Sequence, residues 1–220
     1  MLKKIYKTGV AHPAVFSDVL MPIIAGSLKD THREVLDPFA GVGKVHELRD
    51  LVDWEMHTVG IEIEPEWATI HPDTFIGDAH DLPFRDREFD AVVTSPCYGN
   101  RFADSHDAKD GSVRRSYTHD IGRKLHANNS GHMQWGDKYR EFHEQAWAEI
   151  VRVLDDRLVL NISDHIRNGE RQYVSMWHTN VLANLGLTLK QQTPVQTRRM
   201  KAGANSQQRV DHELVMVFDR

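Results

Sequence analysis

The chain of 220 residues has a single cysteine, Cys97, so no disulfide can form within it, and a reducing compartment is expected. It lacks any apolar run near the roughly 18 residues that a membrane span needs. Residues 1–10 carry Lys3, Lys4 and Lys7 with no apolar stretch behind them, which argues against secretion and predicts a cytoplasmic location. Proline and glycine number only 8 and 14, too few for a collagen-like or low-complexity chain. Basic charge is not in excess either. The 27 Lys and Arg face 32 Asp and Glu, a formal −5, which speaks against a wholly basic nucleic-acid wrapper and leaves a local patch open. What is present is an ordinary globular composition, 40 % hydrophobic and 27 % charged, over a length that suits one domain spanning 1–220.

The apolar pattern alternates between helix and strand periods. His12 before Pro13, then Val15, Phe16, Val19, Leu20, Ile23 and Ile24, predict a helix over 12–28 that Pro22 kinks or ends early. Residues 34–36 read as a buried strand closed by Asp37-Pro38, and the glycines behind it open a helix over 44–51. A strand over 57–63 precedes a Pro65-initiated helical turn reaching Ile70. Strands over 74–76 and 89–94 end at Gly77-Asp78 and Ser95-Pro96. A one-faced helix over 137–154 leads through a turn at Asp155-Asp156 to a strand over 157–163. A helix over 171–185 stops at Gly186 before a strand over 187–190. In the last strand, 212–218, Leu214, Met216 and Phe218 alternate with Val215 and Val217. Seven strands with interleaved helices predict a doubly wound α/β sheet.

Two stretches break the alternation. Residues 99–136 show little periodicity and mix Arg101, Lys109, Arg114, Arg115, Arg123 and Lys124 with four aspartates and four histidines. A segment this long inside a compact domain is expected to be functional, here an inserted lid or target-recognition element. The histidines lack compact ligand spacing and cysteine partners, so no metal site is expected. Residues 193–210 carry Arg198, Arg199, Lys201 and Arg209 with no acid, which suits phosphates.

Ligands of open α/β sheets bind at the carboxyl ends of the strands. Asp37-Pro38-Phe39-Ala40-Gly41-Val42-Gly43 places glycines where backbone must approach a ligand. Glu62 lies 21 residues after Gly41, where a carboxylate can take both hydroxyls of a ribose. Position 46 is His rather than a third glycine, and Lys44 precedes Val45 rather than Ser or Thr, so neither a dinucleotide nor a P-loop site is expected. A nucleoside without pyrophosphate suits better. Asp78 can accept from an adenine amino group, and Ile63 can pack on the adenine face.

These residues resemble the motifs of class I S-adenosylmethionine-dependent methyltransferases, and within them the amino-methylating DNA methyltransferases. Asp37 to Gly43 is similar to their glycine motif, Ile61-Glu62-Ile63-Glu64-Pro65 to their ribose motif and Gly77-Asp78-Ala79 to their adenine motif. His12-Pro13-Ala14 resembles the segment that, in this family, leads into the helix flanking the methionine end of the cofactor. Thr94-Ser95-Pro96-Cys97-Tyr98 resembles the catalytic Ser/Asn/Asp-Pro-Pro-aromatic motif, and His212-Glu213 before a final apolar strand is usual there. The likeness covers residues 10–98 well and 137–220 in outline. It implies a seven-stranded, mostly parallel Rossmann-like methyltransferase sheet with an antiparallel last strand. It also implies S-adenosylmethionine as cofactor, held by His12, Asp37, Phe39, Gly41, Gly43, Glu62, Ile63, Asp78 and Ala79. DNA is the implied partner, and Arg101, Arg114, Arg115, Arg198, Arg199 and Lys201, on the two stretches that break the alternation, are the candidate substrate-binding residues.

The chemistry of Ser95 to Tyr98 points to an exocyclic amine. The Ser95 hydroxyl and the Pro96 carbonyl can accept from the amino group and favour its pyramidal transition state. Tyr98 offers a stacking face for a base taken out of the duplex. Ser95 leans toward cytosine N4, with adenine N6 and an RNA amine as alternatives. Cys97 departs from the usual second proline. Proline followed by cysteine also resembles C5-cytosine methyltransferases, whose thiolate attacks the ring, and Gln196-Thr197-Arg198 echoes another of their motifs. Those enzymes need a Glu-Asn-Val carboxylate where this chain has Leu160-Asn161-Ile162, with Asp164 the nearby substitute. A silent nucleic-acid-binding module is the remaining alternative.

Overall fold

The computed structural model describes residues 12, 16–99, 117–197 and 209–220. In chain order these form α1 (Met21–Ala25), β1 (Glu34–Asp37), a 3-10 helix (Lys44–Asp50), β2 (His57–Glu62), α2 (Pro65–Ala68), β3 (Thr74–Ile76), β4 (Phe89–Thr94) and α3 (Tyr117–Ile121). After a 3-10 turn (Ser130–His132) come α4 (Asp137–Val153), β5 (Leu154–Ile162), a small hairpin of β6 (His165–Arg167) and β7 (Glu170–Gln172), α5 (Val174–Asn184), β8 (Thr188–Gln196) and β9 (His212–Asp219). No helix among the described residues is long and apolar enough to cross a membrane.

Seven strands make one sheet in the order β3-β2-β1-β4-β5-β9-β8. The pairings from β3 through β5 are all parallel, whereas β9 runs antiparallel to both β5 and β8. The order reverses between β1 and β4, which opens a crevice at the carboxyl ends of those strands. Period-2 alternation divides each central strand between two cores. Leu36, Val92, Leu158, Leu160, Met216 and Phe218 face α4 and α5 with Tyr139, Trp147, Ile150 and Leu182. Val35, Ala91, Val93, Val159 and Val215 face α1 and the 3-10 helix with Met21, Ile24, Val45 and Leu48.

Several elements differ from expectation at their ends. Of the helix expected over 12–28, the described residues form only α1, and Pro22 sits in its first turn. A residue without N–H costs nothing there, so Pro22 starts the helix instead of ending it. Asp155 and Asp156 lie inside β5 and form no turn. The Asp156 carboxylate is held by Lys29 and His32, and Arg157 pairs with Asp219 of β9 at 2.8 Å, so these polar side chains are satisfied in a strand. Arg171 belongs to β7, and α5 begins three residues later. β8 runs to Gln196 with most side chains exposed, a polar edge strand that hydrophobic periodicity does not reveal.

Candidate active site

A cavity of about 240 Å³ opens at the strand tips around the switch between β1 and β4. On its first side the main chain does most of the shaping. Asp37, at the tip of β1, is buried and accepts from the Phe39 N–H at 3.0 Å and the Thr94 hydroxyl at 2.7 Å, which tightens the turn and ties β1 to β4. Gly41 has φ +54°, and a Cβ there would stand 3.3 Å from His12 Nε2. Its N–H donates to Glu62 Oε2 at 2.9 Å, while the Glu64 N–H donates to Glu62 Oε1 at 2.9 Å. Burial pushes the carboxyls of Asp37 and Glu62 up to about 7 against the hydrogen bonds that favour their charged forms.

The third strand tip brings Asp78, Ala79 and Gly77 to the same cavity beside Ile63. Asp78 accepts from the His80 N–H at 3.0 Å and from Asn128 Nδ2 at 2.9 Å. Asn128 arrives from the segment that carries α3, and that segment is anchored. Arg123 makes a two-pronged pair with Glu66 at 2.8 and 2.6 Å, which holds the Glu66 carboxyl below its usual range. Glu64 is fully buried and accepts from the His126 N–H at 2.7 Å and Asn129 Nδ2 at 2.8 Å. Tyr117 packs with Val42 and Trp67, and its ring lies 5.1 Å from that of His12.

The fourth side is built from side chains. Ser95 Oγ lies 3.0 Å from Tyr98 Oη, and Tyr98 donates to Glu213 Oε2 at 3.0 Å. Asn161 Nδ2 reaches Glu213 Oε2 at 2.7 Å, Tyr98 Oη at 3.1 Å and Ser95 Oγ at 3.3 Å. The turn that carries Ser95 to Tyr98 rests on a buried relay. Trp147 Nε1 donates to His178 Nδ1 at 2.7 Å, so His178 Nε2 carries the hydrogen toward Tyr139 Oη at 2.9 Å. Tyr139 then donates to the Cys97 carbonyl at 2.6 Å. Burial pushes His178 well below its ordinary value and keeps it neutral for this task. The Cys97 thiol is 3.5 Å from Tyr117 Oη and burial raises its pKa. Asp164 accepts from the Ser175 N–H and hydroxyl and pairs with Arg171, so both its oxygens are engaged away from Cys97.

No protein-family model matches the chain, and no curated protein does. Solved structures do match. A SAM-dependent methyltransferase from Methanosarcina mazei superimposes with a TM-score of 0.55 at 14 % identity, over 90 % of this chain and 97 % of that one. A SAM-dependent methyltransferase from Aquifex aeolicus gives 0.52 at 12 % identity, over 90 % and 91 %. The fold is that of the class I S-adenosylmethionine-dependent methyltransferases. The [4+2]-cyclase SpnF also matches, with a TM-score of 0.53 at 17 % identity over 81 % of this chain and 61 % of that one. One methyltransferase-like fold thus accompanies different chemistries, and the reaction must be argued from the residues of the site.

Within this methyltransferase fold, His12, Asp37, Phe39, Gly41, Glu62, Ile63, Asp78, Ala79, Ser95, Pro96 and Tyr98 line one cavity. Gly43 is not among its lining residues. It has φ +80° and a Cβ there would come within 2.8 Å of His46 and 2.9 Å of His71, so packing behind the loop demands the glycine. His46, His71 and Asp73 also bring three potential metal-binding atoms within 4.8 Å, but both ring nitrogens of His46 are bonded to threonines and Arg49 pairs with Asp73 at 2.6 Å. Arg101, Arg114, Arg115, Arg198, Arg199 and Lys201 lie outside the described residues. Lys44, Trp67, Asn128, Asn129, Asn161 and Glu213 join the lining, although their spacing does not single them out. Only His212-Glu213 carries a signal, as a pair preceding an apolar strand.

Proposed function

We propose that this chain is an S-adenosylmethionine-dependent methyltransferase that modifies an exocyclic amino group in DNA, with cytosine N4 as the target. One observation carries the reading: the Ser95-Pro96-Cys97-Tyr98 turn shares a single cavity with the Glu62 and Asp78 carboxylates. The donor set fits the cofactor. Glu62 offers lone pairs to a diol beyond those taken by two backbone N–H groups, Asp78 offers an acceptor to an adenine amine, and Ile63 lies beside them as an apolar surface. Gly41 keeps the wall between Glu62 and His12 free of a side chain. When bound, the cofactor supplies an electrophilic methyl group on a sulfonium.

The protein's part is to hold the amine and its charge. Ser95 Oγ and the Pro96 carbonyl accept from the target N–H groups, which favours the pyramidal nitrogen of the transition state over the planar ground state. The nitrogen gains positive charge as its bond to the methyl carbon forms, and a proton then leaves to water. Glu213 stands two hydrogen bonds from Ser95, through the Tyr98 hydroxyl. Tyr98 keeps its ring as a stacking face while its hydroxyl is tied back. Arg101, Arg114, Arg115, Arg198, Arg199 and Lys201 are assigned to backbone phosphates.

Attack on cytosine C5 by Cys97 is disfavoured on two observations. The thiol's pKa is raised by burial, whereas a nucleophilic cysteine needs it lowered. Asp164, which would have to protonate the ring, is engaged by Ser175 and Arg171. The deciding experiment incubates the protein with duplex DNA, total RNA and labelled cofactor, then digests to nucleosides for mass spectrometry. N4-methylcytosine in DNA is expected. N6-methyladenine or a methylated RNA base moves the target within amine chemistry, 5-methylcytosine overturns it, and cofactor binding without transfer to any nucleic acid leaves a binding module.

A further inference from the structure

A serine hydroxyl can give or accept a hydrogen bond, and which of the two it shows to the cavity decides what target it can hold. Glu213 settles that direction from two residues away. A carboxylate only accepts, so the single hydrogen of Tyr98 Oη goes to Glu213 Oε2 at 3.0 Å. With that hydrogen committed, the 3.0 Å contact between Tyr98 Oη and Ser95 Oγ requires the hydrogen of Ser95. The two hydrogens of Asn161 Nδ2 are shared among the same three oxygens, at 2.7, 3.1 and 3.3 Å. Ser95 is left with its hydrogen turned toward Tyr98 and only lone pairs to offer elsewhere.

We propose that Glu213 is a positioning residue that holds Ser95 as a pure hydrogen-bond acceptor, so that the reaction chamber selects a target atom bearing N–H. The inference rests on the methyltransferase reading above and deepens it. A ring nitrogen or a carbonyl oxygen presents lone pairs and finds no donor at Ser95, whereas an amino group does find its acceptor. Asn161 stands beside it. Its side chain lines the cavity, is 1 % exposed, and its Oδ1 has no hydrogen-bond partner among the described residues. The cluster joins the ends of three strands: Ser95 and Tyr98 follow β4, Asn161 lies in β5 and Glu213 in β9, beside the antiparallel pairing of Ile162 with Leu214.

The test replaces Glu213 by a group of the same shape that can donate. In Glu213→Gln the side-chain amide can present N–H to Tyr98 once the Asn161 amide turns its Oδ1 to the place its Nδ2 held; Tyr98 then donates to Ser95, and Ser95 points its hydrogen at the target. The expected result is a loss on the order of 10²-fold in kcat, with affinity for S-adenosylhomocysteine unchanged to within about twofold. Glu213→Asp, which can still only accept, keeps more activity than Glu213→Gln. In a Tyr98→Phe background the Glu213→Gln loss shrinks to about twofold or less, because the connection is already cut. A separate readout needs no substrate. The phenol of Tyr98, titrated by absorbance as the difference from Tyr98→Phe, ionises roughly one pH unit lower in Glu213→Gln than in wild type, since the opposing carboxylate charge is gone. Additive losses in the cycle, or an unmoved Tyr98 titration, overturn the proposal. A wild type that transfers methyl to no nucleic acid overturns the methyltransferase reading instead, and the Tyr98 titration alone then decides whether Glu213 orients the hydroxyls.

Discussion

On the β1–β2–β3 side of the cavity, each strand tip delivers its contribution within a few consecutive residues, and two backbone amides fix the central carboxylate Glu62. On the β4–β5–β9 side, four side chains spread from Ser95 to Glu213 converge through hydrogen bonds, and backbone serves mainly as their support. The first arrangement is a property of short stretches of chain. The second exists only once distant strands are paired. A cofactor common to many reactions is well served by the first, and a particular target atom by the second.

If that division holds, Glu62→Ala removes binding and leaves chemistry to be rescued by excess cofactor. The loss of charged acceptors to a diol is expected to weaken S-adenosylhomocysteine by about 10²-fold, read by calorimetry. An unchanged affinity removes Glu62 from the ribose assignment.

Proton concentration separates the two sides as well. Asp37 and Glu62 have folded values pushed up to about 7, above the ordinary 3.8 and 4.5, so the folded chain binds protons more tightly than the unfolded one. Their contribution to stability is complete below the ordinary carboxylate range and is lost as pH rises from there through about 7, on the order of 3 kcal/mol per group. Denaturant unfolding without cofactor should therefore show lower stability at pH 8 than at pH 5.5, and Asp37→Asn should flatten the slope. Cofactor affinity should move the other way, rising through about pH 7 as Glu62 becomes the better acceptor.

Support of the reaction side is tested at Tyr139. Tyr139→Phe strands the Cys97 carbonyl and the His178 N–H in the interior, at a cost of about 2 kcal/mol. Thermal unfolding reads that cost, and kcat is expected to fall further than cofactor affinity because the turn carrying Ser95 is what loosens. Least is expected of Cys97→Ala, within about tenfold of wild-type kcat, since the thiol fills space beside Tyr117. An inactive Cys97→Ala that still binds cofactor and DNA, together with a covalent adduct on 5-fluorocytosine DNA, would reverse the amine assignment.

The same division explains which parts of the molecule are legible in the sequence. β3 and β4 have the bounds that their apolar runs predict; β4 is a buried parallel strand and announces itself as a short hydrophobic block, while β3, at the sheet edge with Phe75 and Ile76 exposed, is bounded by the Gly77-Asp78 turn that ends it. Glu62 and Asp78 are readable because each ends such a block. β8 is legible only at its start, where a strand is expected over 187–190, since the rest of an exposed edge strand of Thr, Gln and Pro carries no period. Tyr139 and Trp147 read correctly as one buried helical face, yet their polar atoms and His178 form the support of the turn from Ser95 to Tyr98, and a periodicity argument treats those atoms as absent. Asn161 sits inside an apolar strand, where a polar residue looks like an interruption. Its partner lies 52 residues away, and only the antiparallel register of β5 with β9 brings the two together.

That register also orders events on the ribosome. β8 pairs with β9 and with no other strand of the sheet, and β9 lies between β5 and β8, so β8 emerges first and must wait as an unpaired ribbon until residues 212–219 follow. The strands β1 through β5, which carry or lead into Gly41, Glu62 and Asp78, have all been made by that point. Glu213 follows them on β9, so the residues proposed to hold a nucleoside precede in synthesis the residue proposed to orient Ser95.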